Sequence, residues 1–330
     1  MPKRPSVKKR GSSGSRKAAG LAREWSAALK QGRKQAQAVL DQRKATAARR
    51  RAAGGFRSGA RASAGLLLAE GDSWFDYPFF DVLEELEEGF NYSIESVAHK
   101  GDTVEEMAYD TNQLDKLARK LEKLGREGKV PRAILLSGGG NDIAGDEFSV
   151  LLNHKRSSLP PLNEQVVAGL IDGRLRAAII ELASAVTHLC QESLNARVPI
   201  VMHGYDYPVP DGRGYLGGFW ILPGPWLAPG FRKKGYDDSQ LQMRCDLMVQ
   251  LIDRFNAQVK GIAGGPGLGH LHYVDLRGTL SQRLQGQAYK SWWNDELHPT
   301  EQGFARVAAK FDQLIRQIGA TPRQEVGRRL

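Results

Sequence analysis

The sequence predicts an α/β protein in which a parallel sheet is covered by helices on both faces. Short apolar runs, interpreted as strands, alternate with segments of helical length along most of the chain. The strands are expected at Gly65–Ala69, Tyr92–Ala98, Arg132–Ser137, Pro199–His203 and His270–Leu276. The helices are expected near Asp81–Glu88, Thr103–Leu124, Val166–Asn195, Ser239–Lys260 and Thr300–Gln317. Such alternation produces βαβ units, which place the strands side by side in one parallel sheet.

Charge divides the 330-residue chain into a basic N-terminal extension and a mildly acidic body. Residues 1–61 hold eighteen Lys or Arg and only two acids, Glu24 and Asp41, which gives this extension a net charge of +16. The whole chain carries +10, so the remainder carries −6. We predict a partly helical, partly disordered extension over 1–61, a single domain over 62–320 with an aromatic-rich insertion at about 205–236, and a disordered tail over 321–330.

Composition also bears on the cellular location of the protein. No apolar run approaches the ~18–20 residues that cross a bilayer, so no transmembrane segment is predicted. No apolar stretch follows the charged N-terminus, so no signal peptide is expected and a cytoplasmic location is favoured, with peripheral membrane association or non-classical export as alternatives. The two cysteines, Cys190 and Cys245, fall in separate predicted helices and are interpreted as ordinary buried thiols.

Four polar motifs follow predicted strands or precede the last helix. They are Glu70-Gly71-Asp72-Ser73-Trp74, His99-Lys100-Gly101-Asp102, Ser137-Gly138-Gly139-Gly140-Asn141-Asp142 and Asp295-Glu296-Leu297-His298-Pro299. In open α/β sheets, functional groups gather at the carboxyl ends of the strands. We therefore expect these motifs to form one site.

The motifs supply the groups that acyl transfer needs. Ser73 offers a hydroxyl nucleophile, and Asp295 is spaced three residues before His298 so that a carboxylate can orient the imidazole. Among the seven histidines, only His298 has Asp three residues before it and Pro directly after it. The backbone N–H of Ser73, the backbone N–H of Gly101 and the side chain of Asn141 are candidate donors to an oxyanion.

These motifs, in this order, resemble those of the SGNH, or GDSL-like, hydrolase superfamily. The resemblance spans about Gly65 to Gln317, although Trp74 stands where the family commonly has leucine and the Gly101 block matches loosely. It implies a flavodoxin-like three-layer α/β/α sandwich with a five-stranded parallel sheet. It further implies a hydrolase without metal or other cofactor, in which Ser73 is the nucleophile, His298 the base and Asp295 its orienter. Ser73, Gly101 and Asn141 would then form the oxyanion hole.

The substrate stays open at the level of sequence. A carboxylic ester of a small molecule or lipid is the first hypothesis, O-deacetylation of a carbohydrate or cell-wall polymer is the second, and a catalytically silent binding protein targeted by its basic extension is the third. Candidate pocket residues are Trp74, Trp292, Trp293, Tyr205 and Tyr207. The two adjacent tryptophans fit a substrate pocket and ordinary packing equally.

The insertion and the basic extension each admit more than one interpretation. The insertion is expected to be a lid or recognition wall over Ser73, and the alternative is a surface excursion with its own small core. The extension has an apolar seam at Leu21, Trp25 and Leu29. It is interpreted as a solvated segment or as one that binds an anionic surface, either a membrane or nucleic acid.

Overall fold

The computed structural model describes residues 63–215 and 223–320, and these form the predicted α/β fold. Five parallel strands lie in the order β2-β1-β3-β4-β5. Their bounds are β1 Leu66–Gly71, β2 Ser93–Ser96, β3 Ala133–Ser137, β4 Ile200–His203 and β5 Leu271–Val274. Each lies within one or two residues of an expected strand or inside it. The predictions for residues 1–61 and 321–330 lie outside the described residues.

Helices cover both faces of this sheet. Their bounds are α1 Val82–Phe90, α2 Val104–Tyr109, α3 Thr111–Arg126, α4 Gly140–Ile143, α5 Glu164–Val167, α6 Arg176–Leu194, α7 Ala228–Lys233, α8 Leu241–Ile262 and α9 Glu301–Ala320. Helices α1 and α9 pack against each other, and α6 packs against α2, α3 and α8. The described residues thus form the three layers that the resemblance implied.

The predicted helix Thr103–Leu124 is two helices, α2 and α3. Asp110 separates them because its backbone is extended (φ −78°, ψ 114°). Its carboxylate accepts a hydrogen bond from the Asn112 N–H at 2.8 Å and so caps the start of α3. The periodicity of the apolar residues does not reveal this break, because a single capping aspartate causes it.

A π-helical stretch, Ala168–Leu175, joins α5 to α6 in one continuous helical segment. The segment starts two residues before the expected start, where the Asn163 side chain accepts a hydrogen bond from the Val166 N–H. It ends at Leu194, one residue before the expected end, because Asn195 adopts a left-handed conformation (φ 48°). π-helical turns are rare and often lie at functional sites.

The core lies between the sheet and its helices. Leu67 and Leu68 of β1 and Ile134 and Leu135 of β3 are fully buried, as expected of strands in a parallel sheet covered on both faces. Both cysteines are free and buried. Among the helices of the described residues, none combines the length and the apolar composition needed to cross a membrane.

Candidate active site

Ser73 lies in the turn that leaves β1. The strand ends at Gly71, where a Cβ would come 2.7 Å from the Cβ of Ser137 on neighbouring β3, so a side chain does not fit. Asp72 stabilises the turn, since its Oδ1 accepts hydrogen bonds from the Trp74 N–H at 3.0 Å and the Ser137 hydroxyl at 2.6 Å. The turn therefore holds a partly buried serine at the carboxyl end of the sheet.

His298 and Asp295 meet Ser73 from the loop that precedes α9. The Ser73 Oγ lies 2.7 Å from His298 Nε2. On the other side of the ring, His298 Nδ1 lies 2.9 Å from Asp295 Oδ1 and 3.0 Å from Oδ2. Asp295 Oδ1 also accepts the backbone N–H groups of Leu297 and His298, both at 2.8 Å. The structure thus brings together the three side chains that the sequence singled out as catalytic.

The charge state of Asp295 fixes the proton on the imidazole. Burial raises the pKa of this carboxyl, but the hydrogen bond and charge of His298 and the two backbone N–H groups outweigh it, and the pKa is lowered overall. An ionised carboxylate only accepts hydrogen bonds, so Nδ1 of His298 carries the proton. Nε2 is then the acceptor that faces the Ser73 hydroxyl.

Two aromatic side chains hold the imidazole of His298. The Tyr77 ring stacks on it, with ring centroids 4.3 Å apart, and the Tyr77 hydroxyl donates to Asp295 Oδ2 at 3.0 Å. The Trp226 ring, from the insertion, contacts the imidazole edge-on, with ring centroids 5.3 Å apart. Sequence reasoning did not identify Tyr77, which lies four residues after Ser73 outside any motif.

The oxyanion candidates Asn141 and Gly101 lie on adjacent turns. Asn141 is in α4, which follows Gly139 with φ +110°, a conformation suited to glycine. The Asn141 Nδ2 donates to the Asp102 carbonyl at 2.9 Å and so ties the two turns together. Asn141 and Ser73 both line a small cavity, whereas Gly101 is exposed and does not line it. The oxyanion role of Gly101 stays a prediction.

The cavity at Ser73 is small and mainly apolar. It offers about 40 Å³ to water-sized molecules. Of the candidate pocket residues, Trp74, Trp293 and Tyr205 line it. The other two lie elsewhere: an Arg306 guanidinium sits 3.9 Å from the ring centroid of Trp292, and the Tyr207 hydroxyl donates to Asp253 at 2.7 Å.

A buried polar network lies beneath the nucleophile. His203 Nε2 is 2.8 Å from the Ser137 Oγ, which donates to Asp72, and the Tyr205 hydroxyl donates to the same carboxylate. Burial lowers the pKa of His203 to about 4, which makes the ring neutral near pH 7. Trp74 stacks on His203 at 5.3 Å between centroids. The network supports the turn of Ser73 from below.

Glu296, which lies between the candidate residues Asp295 and His298, ties the insertion to the site. Its fully buried carboxylate accepts four backbone N–H groups, all from the insertion, at distances of 2.7 to 3.0 Å. The donors are Gly212, Trp226, Leu227 and Ala228. Burial raises the pKa of Glu296 to about 7, although these four donors lower it.

The insertion therefore contributes a wall of the site in its described parts, 205–215 and 223–236. Trp226 contacts His298, and Leu227 lines the cavity at Ser73. Sequence reasoning missed Glu296, for which the sequence offered only its position beside Asp295. Within 63–215 and 223–320, no three or more His, Cys, Asp or Glu side chains are grouped so as to hold a metal ion.

Comparisons with known proteins find similarity among solved structures. No protein-family model and no curated protein matches the chain. An acetylxylan esterase from Geobacillus stearothermophilus matches with 16% identity and a TM-score of 0.39, over 79% of this chain and 96% of that one. A GDSL-like lipase from Bacteroides thetaiotaomicron matches with 12% identity and a TM-score of 0.35, over 76% and 88%. A protein from Arabidopsis thaliana matches with 13% identity and a TM-score of 0.39, over 72% and 66%.

The sheet order and the placement of the first three motifs at the carboxyl ends of β1, β2 and β3 agree with the resemblance drawn from the sequence. Five parallel strands covered by helices on both faces form the three-layer fold that this resemblance implied. At these identities and TM-scores the solved structures carry no argument about function, which depends on the geometry of the site.

Proposed function

We propose that this protein is a serine hydrolase that cleaves carboxylic esters through an acyl-enzyme on Ser73. One observation carries the proposal: the 2.7 Å approach of the Ser73 Oγ to a His298 ring whose other nitrogen contacts Asp295. A nucleophile in contact with a base, and a base in contact with its orienter, is the arrangement that activates a serine. No metal or cofactor takes part in the proposed reaction.

In the first half-reaction, His298 Nε2 takes the Ser73 hydroxyl proton as Oγ attacks the ester carbonyl carbon. The carbonyl oxygen becomes an oxyanion, which the Ser73 N–H, the Asn141 Nδ2 and the Gly101 N–H stabilise. The tetrahedral intermediate collapses, the C–O bond to the alcohol breaks, and His298 returns its proton to the departing alkoxide. An acyl-serine ester and a free alcohol result.

In the second half-reaction, water takes the place of the alcohol. His298 removes a proton from the water while the water oxygen attacks the acyl carbon, and the same three donors stabilise the new oxyanion. The carboxylic acid then leaves, and Ser73 regains its proton. Throughout, Asp295 stabilises the imidazolium, and the Tyr77 ring stacked on it contributes by a cation–π interaction.

The test uses p-nitrophenyl acetate, butyrate and octanoate with the wild type and Ser73→Ala. We expect kcat/KM to fall by at least about 10³-fold in the variant. A fluorophosphonate should label the wild type on Ser73 and leave the variant unlabelled. Ser157→Ala, an exposed serine outside the cavity, is the matched control and should keep both properties.

Equal slow hydrolysis by wild type and Ser73→Ala, without labelling of the folded wild type, would contradict the proposal. That result would favour the catalytically silent binding protein. Labelling without hydrolysis of any of these three esters would instead retain the nucleophile and move the search to other acyl donors, among them O-acetylated carbohydrates.

A further inference from the structure

A second, larger cavity adjoins the one at Ser73; we call it the side groove. It offers about 490 Å³ and shares Asn141, Ile143 and Ala144 with the cavity at Ser73. Asn141 is the candidate oxyanion donor, so the shared wall lies where the reacting carbonyl would sit. A molecule bound at Ser73 can therefore extend into the side groove.

The two cavities differ in the size of group that each can hold. The cavity at Ser73, at about 40 Å³, has room for roughly three water-sized groups, since one water occupies ~10–15 Å³ of such space. An acetyl group has three heavy atoms. The side groove is about twelve times larger, and of the two only it has space for a ring or a chain of rings.

The side groove also differs in chemistry. Its polar and apolar surfaces are nearly equal, whereas the wall of the cavity at Ser73 is mostly apolar. Val150 and Leu170 supply apolar contact, and the carboxylates of Glu105 and Glu147 supply acceptors. Arg174, the basic residue of this lining, is paired with Glu105. Because Arg174 is paired with Glu105, the carboxyl groups of Asp142 and Glu147 leave the lining with excess negative charge, which disfavours an anionic alcohol. A long alkyl chain would offer these groups no hydrogen-bond donor.

The wall of the side groove includes the π-helical stretch Ala168–Leu175. Gly169, in this stretch, lines the groove, and a Cβ added there would meet nothing within 4 Å. Gly173, four residues on, is exposed, is similarly open and does not line the groove. Rare π-helical turns recur beside functional sites, where they reshape a helix surface. The two glycines offer a matched pair of positions, one in the groove and one outside it.

We propose that the side groove binds the alcohol portion of the substrate, and that the substrate is a short-acyl ester, acetyl in size, of an uncharged polyhydroxylated alcohol. Hydroxyl groups donate to Glu105 and Glu147, while the C–H surface of the alcohol packs on Val150 and Leu170. This inference rests on the proposed Ser73 hydrolase. It assigns the acyl group to the small cavity and the leaving group to the large one.

The test compares methyl acetate, whose alcohol cannot fill the side groove, with a mono-O-acetylated disaccharide. For the wild type we expect kcat/KM to be at least about tenfold higher on the disaccharide ester. Gly169→Leu should remove most of this preference and leave methyl acetate hydrolysis unchanged. Gly173→Leu, which makes the same change in the same π-helical stretch outside the groove, should leave both rates unchanged.

A second variant fills the side groove from another element. Val150 is about half exposed in the 3₁₀ segment Asp146–Leu151, and Val150→Tyr should lower the disaccharide rate in the same selective way. It keeps the proposal testable if Gly169→Leu does not fold.

Two results overturn the assignment of the side groove while retaining the Ser73 hydrolase. One is a wild type that is labelled by fluorophosphonate but shows no preference for the disaccharide ester. The other is that Gly169→Leu and Val150→Tyr lower the rates on both substrates equally, or change neither rate. A folded wild type that hydrolyses no ester and is never labelled contradicts the hydrolase itself, and the side-groove proposal falls with it.

Discussion

The active site joins two regions that are held in different ways. The sheet side, residues 70–73 and 137–141, comprises the carboxyl ends of β1 and β3 and the turns that follow them. It is fixed by strand pairing and the close approach of Gly71 to Ser137. The loop side, residues 204–215, 223–236 and 293–298, supplies the base and the insertion. Apart from the short helix α7, it has little regular structure.

Buried carboxylates take the place of strand pairing on the loop side. Glu296 accepts four backbone N–H groups and Asp295 accepts two. Asp206 accepts three, from Tyr207, Gly278 and Leu280. Irregular backbone that is buried must find acceptors for its N–H groups, and these side chains provide them. The nucleophile therefore depends on strand pairing together with one buried carboxylate, Asp72, while the position of the base depends on buried carboxylates without strand pairing.

Asp295→Asn should have the largest effect on activity. An amide keeps the shape of the carboxylate but no longer stabilises the imidazolium or fixes the proton on Nδ1 of His298. We expect kcat to fall by about 10⁴-fold, by analogy with the same change in other serine triads. Asp312→Asn is the control, because it removes a buried carboxylate that contacts Tyr92 and Arg316 instead. An Asp295→Asn enzyme within tenfold of wild type would remove Asp295 from the mechanism.

Asn141→Ala should have the next largest effect, on the sheet side. Loss of one oxyanion donor lowers kcat by about 10² to 10³-fold with little change in KM, because the bond forms fully only in the transition state. The control Asn153→Ala also removes a side-chain amide bonded to a backbone carbonyl, that of Pro160, but outside both cavities. A rise in KM at constant kcat would show that Asn141 binds the substrate rather than the oxyanion.

Local sequence patterns explain which parts of the fold and of the site could be predicted. The strands, and the motifs of Ser73 and Asn141 that follow them, were readable because apolar runs and glycine-rich turns are local patterns. The spacing of Asp295 and His298 was readable for the same reason. The three candidate catalytic side chains, Ser73, Asp295 and His298, lie together in the structure as the motifs predicted.

What the sequence did not reveal arises from contacts between distant segments. Glu296 accepts hydrogen bonds from backbone groups 68 to 84 residues away, and Tyr77 stacks on a ring 221 residues away, so no local spacing marks either one. Trp292 and Trp293 are adjacent in sequence, yet only Trp293 lines the cavity at Ser73. The extra break at Asp110 was missed because a single capping residue decided it.

Glu296→Gln tests whether the loop side depends on its carboxylates. Glutamine has one acceptor oxygen, so about half of the four N–H groups lose their partner, each at a cost of about 1–3 kcal/mol. The segment that carries Trp226 should loosen against His298. We expect kcat to fall by about tenfold at constant KM, together with a lower Tm and slower fluorophosphonate labelling.

The matched control for this change is Glu95→Gln. Glu95 lies on β2, and its partly exposed carboxylate is paired with Lys120. It should leave kcat and labelling unchanged. If Glu296→Gln lowers Tm without changing kcat or labelling, Glu296 supports the fold but does not position the base.

Glu70→Gln should have the smallest effect on activity, because the Glu70 carboxyl accepts no hydrogen bond from the loop side. Glu70 is buried; its Oε1 accepts only the Gly71 N–H, and its Oε2 has no hydrogen-bond partner in the part of the chain that the structure describes. Burial, aided by Asp102, raises its pKa from 4.5 to about 8. Between these values the folded protein keeps a proton that the unfolded chain releases. Its contribution to stability is therefore complete below pH 4.5 and is lost as pH rises to about 8.

Glutamine stays neutral, so the free energy of unfolding of Glu70→Gln should decline less steeply with pH than that of the wild type. The difference in slope should approach about 1.4 kcal/mol per pH unit between pH 5 and 8. Urea unfolding at pH 5, 6, 7 and 8 measures it, and the other buried carboxyls cancel because they contribute to both curves. Glu95→Gln removes a carboxyl whose pKa is lowered, chiefly by Lys120, and should not flatten the curve. Equal slopes for wild type and Glu70→Gln would mean that Glu70 is ionised in the fold. A large loss of kcat would mean that Glu70, like Asp72, helps to place the nucleophile.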